Sequence, residues 1–402
     1  MTRADVAIAG AGPVGTALAL ALARAGYEVA VIERREPPGF DPAGEYDLRV
    51  FALSPASRNL LTRLGAWAGI ERERIAPIRA MHVWRAGDSA ALGFDGALVG
   101  EPALGWIVEG RLLGAVLWQA LAREPRIERL CPGEITALES GPERVRLALA
   151  DGGSLSARLL VAADGAESKV RTLAGIGAAE RDYGERAVVA HLRPEQSHRD
   201  TAWQRFLDGG PLALLPLDDG RVSIVWTLPD AQAEAMLALD DGAFGAAVTA
   251  ASEARLGRLT AASARAAFPL RRRLAERYFS GRVVLVGDAA HVVHPLAGQG
   301  MNLGLLDVAA LAEALGPGGR DSDPGDPVRL LRYQRRRLGD NALAARSFEA
   351  LHDVYLANTG FWPGLRDFGV GLVDRIAPLK RELALQACGY GGDVPPLARR
   401  LS

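Results

Sequence analysis

The chain has 402 residues, 49% apolar and 24% charged, the balance of an ordinary globular protein with more chain than one small core needs, so two lobes are expected. Lys+Arg 47 against Asp+Glu 48 gives a net charge of −1, so no global basic field points to nucleic acid. Only Cys131 and Cys388 are present, and the six histidines are scattered without metal-ligand spacing, which argues against a disulfide framework and against any metal site. The first apolar run is broken by Gly10, Gly12 and Pro13, too early for a signal peptide, and no run approaches the ~18 apolar residues of a membrane span. A cytoplasmic protein is expected, with peripheral contact at the inner membrane as the most a membrane would see of it.

Asp5 to Arg35 reads as strand, Gly-rich turn, helix, strand. The turn is Gly10-x-Gly12-x-x-Gly15, and Glu33 closes the second strand. The first two glycines allow a tight turn and close approach of a pyrophosphate, the third allows helix–sheet packing, and the acid can accept from ribose hydroxyls. A lone Gly-rich turn would be a weak signal; with its strand, helix and acid in register it predicts dinucleotide binding. Glu33 suits an unphosphorylated ribose, which NAD and FAD share.

An amphipathic helix follows Arg111, and two strands flank the turn Asp151-Gly152-Gly153. The second of these ends at Asp164-Gly165, with Ser168 and Arg171 opening a helix; taken alone, this reads better as a capped helix after a strand than as a site. From about Tyr183 to Leu228 the pattern turns strand-rich, with Asp219-Gly220 as a hairpin turn, and is read as an antiparallel sheet inserted into the nucleotide lobe. The chain returns at Arg282: an apolar strand, Val283 to Val286, runs into Gly287-Asp288, then a Pro/Gly-rich loop, then a helix from about Met301-Asn302. A strand-end carboxylate beside a helix N-terminus suits a ligand with hydroxyls and an electron-rich ring. Val328 to Leu356 and Leu365 to Ala387 read as helices. Phe361, Trp362, Leu365, Phe368 and Ile376, interleaved with Arg366, Arg375, Lys380 and Arg381, fit either packing on the first lobe or contact with a lipid surface.

GxGxxG, Asp-Gly and Gly-Asp, in this order and spacing, resemble the FAD-dependent aromatic hydroxylases related to p-hydroxybenzoate hydroxylase. Within them, HPLAGQGMNLGLLDVAAL looks like the signature of the ubiquinone-biosynthesis hydroxylases, the UbiH/UbiF/UbiI/VisC group. DLRVFALSPAS (Asp47 to Ser57), VEGRLLGAVL (Val108 to Leu117), YQRRRLGDN (Tyr333 to Asn341) and LVDRIAPLKRELALQACG (Leu372 to Gly389) extend the similarity over nearly the whole chain. The fold implied is α/β: a Rossmann-like FAD-binding domain with an inserted antiparallel β-sheet substrate domain and a helical C-terminal region. Boundaries are expected at 1–180 for the first part of the FAD domain, including minor substrate-domain strands near 75–110, 181–280 for the substrate domain, 281–345 for the return segment and 346–402 for the helical end.

The resemblance also implies residue roles. Gly10, Gly12 and Gly15 cradle pyrophosphate, Glu33 and Arg34 hold the adenosine end, and Arg111 contacts FAD from its helix start. Asp288 holds the ribityl chain or pyrophosphate, and backbone amides from Gly298 through Gly300 and Met301 to Asn302 face the flavin ring. Asp164 and Arg171 shape the cofactor entrance and assist NAD(P)H, the transient reductant. Pro295, His294 and Arg49 are the catalytic candidates: the matching proline of related enzymes lies near the ring edge where oxygen reacts, and Arg49 would steer flavin or substrate. His291 and His294 invite a general-base reading, although a histidine in a Pro/Gly loop is more often a structural hydrogen-bonder. The chemistry implied is hydroxylation of an electron-rich phenol with dioxygen, on a polyprenylphenol of ubiquinone synthesis, with other proteins of that pathway as partners. Two alternatives stay open from sequence: hydroxylation of a soluble aromatic acid, and a non-catalytic FAD-containing scaffold that binds prenyl lipid.

Overall fold

The computed structural model describes residues 2–85, 92–293, 299–319, 322–356 and 377–401. In the first of two large sheets, the strands Thr2–Ala9, Val29–Ile32, Ile127–Leu130, Ser154–Ala162 and Val283–Leu285 are parallel, with Thr2–Ala9 between Ser154–Ala162 and Val29–Ile32. They are near-continuous apolar runs because both faces are covered; Val6, Ile8, Leu159, Leu160 and Val284 are fully buried. Pro13–Arg24 opens directly after Thr2–Ala9, and Gly300–Leu315 packs against it. The predicted turn at Asp151–Gly153 is present, with Gly152 at φ 84°, and turns Val145–Leu149 back antiparallel onto Ser154–Ala162.

The second sheet has the lateral order Ala80–Arg85, Thr201–Leu207, Gly210–Pro216, Val222–Pro229, Ala178–Pro194 and Ala266–Ala275, antiparallel except for the first pair. Gly220, at φ 84°, makes the expected hairpin. Two helices unforeseen from sequence, Asp230–Ala238 and Asp241–Ala251, cover one face through Ala233, Phe244 and Val248 packed on Val188, Leu212 and Ile224. Their alanine-rich sequence offers little periodic contrast, so only the sheet beneath reveals which side is buried. The sheet's other face turns toward the first lobe.

Two elements cross the boundaries expected from sequence. Ala178–Pro194 is one strand running through position 181, and Pro327–Leu356 is one helix running through 345. After the helix Ala377–Ala387 the chain folds back on the first lobe, where the Tyr390 hydroxyl donates to Glu101 (2.8 Å) and accepts from Asn59 Nδ2 (2.9 Å). The aromatic stretch from Phe361 to Ile376 lies outside the described residues. Among the described residues, no helix is long and apolar enough to cross a membrane.

Candidate active site and cofactor cradle

Gly10, Gly12 and Gly15 are required for three different reasons. Gly10 sits at φ 99°, and a Cβ there would lie 2.4 Å from the Ala163 carbonyl oxygen. Gly15 opens the helix against the loop, where a Cβ would lie 2.1 Å from the Gly10 carbonyl oxygen. Gly12, the N-cap, has an ordinary extended backbone (φ −64°, ψ 171°) and open space where its side chain would be. No side chain caps this helix, so its first amides and its positive end face outward over Gly12. Glu33 braces the loop from the next strand, accepting from Ala11 N at 2.7 Å and Arg35 N at 3.2 Å.

Across the sheet, Asp288 stands on a short 3-10 turn, Gly287–Ala289, exposed and without a partner among the described residues. Gly287 takes φ 58°, and Gly304 lets the Gly300–Leu315 helix approach so closely that a Cβ there would meet Val14 at 2.7 Å. Asp307, fully buried on that helix, holds the turn from behind. Its Oδ2 accepts from Gly287 N at 3.0 Å and lies 2.5 Å from His291 Nε2, while Oδ1 accepts from Arg337 Nε at 2.7 Å and Asn341 Nδ2 at 3.2 Å. Burial would raise the Asp307 carboxyl, but the opposite charges of His291 and Arg337 outweigh it and hold it far below the usual range. His291 is therefore a structural hydrogen-bonder.

Several expected site residues take part in internal hydrogen bonds. Asp164 accepts from Ser168 Oγ (2.5 Å) and Val170 N (3.1 Å), capping the helix Lys169–Leu173. Arg171 is 7% exposed and donates to the Ala166 and Ala289 carbonyls at 3.1 and 3.0 Å, stitching that helix to the Asp288 turn. Neither is among the residues lining the central cavity, and the Arg171 guanidinium, between two carbonyls, braces the Asp288 turn. The Asn302 side chain is likewise internal, accepting from Ser54 N and Ser57 Oγ and donating to Ala52 O, which locks the helix start to Val50–Leu53. Arg34, Arg49 and Arg111 are exposed, with Arg49 over the Phe51 ring at 5.2 Å. Two acids missed from sequence set the last two: Asp47 accepts from the backbone amides of Arg49 and Arg111, and Glu109 accepts from Asp47 N at 2.6 Å and Arg74 Nε at 2.7 Å. His294, Pro295 and Gly298 lie outside the described residues.

A cavity of about 460 Å³ opens between the two lobes. One side is Asp288, Val292 and Gln299–Asn302, with Met301 and Gly300 at the helix start; the other is the free face of the second sheet, with Ala202, Gln204, Ala213, Leu215, Val225 and Thr227. Leu383, Ala384 and Ala387 of the Ala377–Ala387 helix close a third side.

Residues 3–344 of the chain match a family model described as an FAD binding domain. The chain belongs to that family. It is an FAD-dependent aromatic hydroxylase of the p-hydroxybenzoate hydroxylase group. It is 37% identical over 387 residues to the 3-demethoxyubiquinol 3-hydroxylase of Escherichia coli, covering 96% of this chain and 98% of that protein. It is 39% identical over 400 residues to the ubiquinone hydroxylase UbiL of Rhodospirillum rubrum, covering 98% and 92%. Among solved structures, PqsL of P. aeruginosa in complex with 2-aminobenzoylacetate superposes with a TM-score of 0.77 at 25% identity, over 92% of this chain and all of that one.

The residues of this hydroxylase fit FAD. An uncapped helix N-terminus over an open Gly12 suits the pyrophosphate, Glu33 stands where a ribose would reach, and the unpartnered Asp288 carboxylate faces the cavity as an acceptor for hydroxyls. Asp288→Ala is expected to fold normally but to hold FAD at least ~10-fold more weakly, because a charge-assisted hydrogen bond is lost. Equilibrium dialysis against FAD measures this, and unchanged affinity would remove Asp288 from the cradle.

Proposed function

We propose that this hydroxylase adds one oxygen atom to the ring of a neutral, apolar-tailed phenol or quinol of ubiquinone synthesis, with NAD(P)H as reductant and dioxygen as the oxygen source. The observation that carries the reading is the lining of the cavity. Its walls are mostly apolar, with uncharged Gln204 and Thr227 on the sheet side, and the two cations on them, Arg49 and Arg271, are both exposed. Arg271 is moreover paired with Asp182 at 3.1 Å. An aromatic carboxylate buried here would lack a buried cation among the described residues, and desolvating it unpaired would be costly. An apolar tail meets no such penalty, since each buried CH₂ contributes about 0.8 kcal/mol. The names of the two curated relatives point the same way.

Bound FAD supplies the electron transfer and oxygen activation that side chains cannot. The chain's own share is positioning and exclusion of water. Gly10–Gly15 and Asp288 would hold the cofactor at the sheet end, Met301 and the helix start would back it, and Val225, Leu215 and Leu383 keep the space opposite apolar. Tyr46, pushed up to about 12 by burial and then by Asp219, stays an uncharged phenol beside Arg74 and does not compete as a base at neutral pH.

The test uses the purified flavin-loaded protein with NADH or NADPH. A short-chain prenylphenol is expected to accelerate NAD(P)H oxidation and to gain one oxygen atom by mass. Acceleration by p-hydroxybenzoate alone would replace this reading with a soluble-acid hydroxylase. Bound FAD that neither nucleotide reduces, with either ring present, would leave only a scaffold.

A further inference from the structure

The strand Thr201–Leu207 has both faces buried, and its cavity face carries a polar side chain that the mechanism has not used. Ala202 and Gln204 face the cavity, whereas Arg205 is on the opposite face, where it bonds Glu253 at 2.7 Å. In register with Gln204 across the sheet stand Val83, Ala213 and Val225, all apolar. Gln204 is 7% exposed, lines the cavity, and its amide has no partner among the described residues. Two strands away, Thr227 is 2% exposed, lines the same cavity, and its hydroxyl is equally without a partner.

The polar atoms of both side chains reach the cavity, so a molecule entering it can bond them in place of water. A carboxamide offers two N–H donors and one acceptor and carries no charge. It therefore suits a neutral oxygen substituent, a hydroxyl, methoxyl or carbonyl, and has no electrostatic preference for a carboxylate. Its place matters as much as its chemistry. Gln204 lies on the sheet wall, while Asp288 and Met301 lie on the cofactor wall of the same cavity. A ring held by its oxygen at Gln204 therefore presents a particular carbon toward the cofactor side, and an apolar wall alone would let the ring turn.

We propose that Gln204, assisted by Thr227, is the specificity-determining residue of this hydroxylase: it hydrogen-bonds a neutral oxygen on the substrate ring and so selects the ring carbon that is hydroxylated. This rests on the neutral-phenol reading above. Gln204→Met keeps the length and flexibility of the side chain and suits an apolar wall, and Thr227→Val keeps the shape of threonine, so one of the two is available folded if the other is not.

The flavin-loaded wild type and both variants are titrated with a short-chain prenylphenol and with its analogue carrying methyl in place of the hydroxyl, binding being read from the flavin absorbance. Products of turnover are identified by ring position. Wild type is expected to prefer the phenol about tenfold and to give one isomer, a single hydrogen bond's worth of discrimination. Gln204→Met is expected to lose most of that preference, and to give mixed isomers or NAD(P)H oxidation without product; Thr227→Val is expected to move the same readouts in the same direction by less. If wild type hydroxylates the phenol and Gln204→Met matches it in preference and isomer, only the role of Gln204 falls. If wild type binds neither ring and turns over an aromatic acid, the substrate reading fails and Gln204 falls with it.

Discussion

Replacing Gly12 with valine is expected to yield a folded, nearly colourless protein. The backbone at Gly12 (φ −64°, ψ 171°) is one that any residue adopts, and no atom lies within 4 Å of the space a Cβ would take. The fold therefore has no need of glycine here; the ligand does. A branched side chain would stand over the helix N-terminus and keep a pyrophosphate from the amides, so FAD affinity should fall at least ~10-fold, equivalent to about 1.4 kcal/mol, with the melting temperature of the cofactor-free protein unchanged. Gly10→Ala should behave differently. At φ 99° and 2.4 Å from the Ala163 carbonyl oxygen, a Cβ strains the backbone and collides with an atom that cannot yield. That variant should lose about 2 kcal/mol or more of stability as well as FAD. Urea titration beside FAD dialysis separates the two, and equal loss of stability in both variants would contradict the assignment of Gly12 to cofactor approach.

Asp307→Leu is expected to be the most destabilising single change described. It would leave Arg337, 3% exposed, without its buried carboxylate, and release Gly287 N and His291 Nε2 together. Breaking a buried ion pair from one side costs about 3–5 kcal/mol, a large share of the 5–15 kcal/mol typical of a domain. The same network fixes a pH response. Because the folded Asp307 carboxyl is depressed below its ordinary value of 3.8, its contribution is complete above that value and is lost as pH falls below it. Wild type should therefore show a steeper loss of urea stability below about pH 4 than Asp307→Leu does. Parallel pH profiles for the two would show that the carboxylate is not the group responsible.

The positions legible in the sequence are those whose chemistry is local. Gly10 and Gly220 announce themselves because their backbone angles exclude most other residues, and the apolar runs around Ile8 and Leu160 because a covered parallel sheet leaves no polar face. Asp288 drew attention by its strand-end position, and in the structure it is an exposed carboxylate at the cavity, without a partner among the described residues. Asp164 and Arg171 had equally suggestive positions, yet fold into hydrogen bonds with Ser168, Ala166 and Ala289. Nothing in their neighbours along the chain distinguishes a free carboxylate from a capping one, because the difference is whether a third segment arrives to satisfy it.

Gln204 shows the same limit from the other side. In TAWQRFL both faces are buried, so alternation does not say which one meets a cavity; that depends on helices contributed by Asp230–Ala251 covering one face and the first lobe standing away from the other. The sequence by itself determined the FAD-type βαβ unit, the turns and the presence of an inserted sheet, since these follow from backbone preferences and short-range periodicity. Only the tertiary structure decided which polar groups have no partner among the described residues, Asp288, Gln204 and Thr227, and which bond within the fold, Asp164, Arg171, Asn302 and Asp307. Satisfaction of a buried polar group is a property of everything packed around it, and those partners come from segments far apart in the chain.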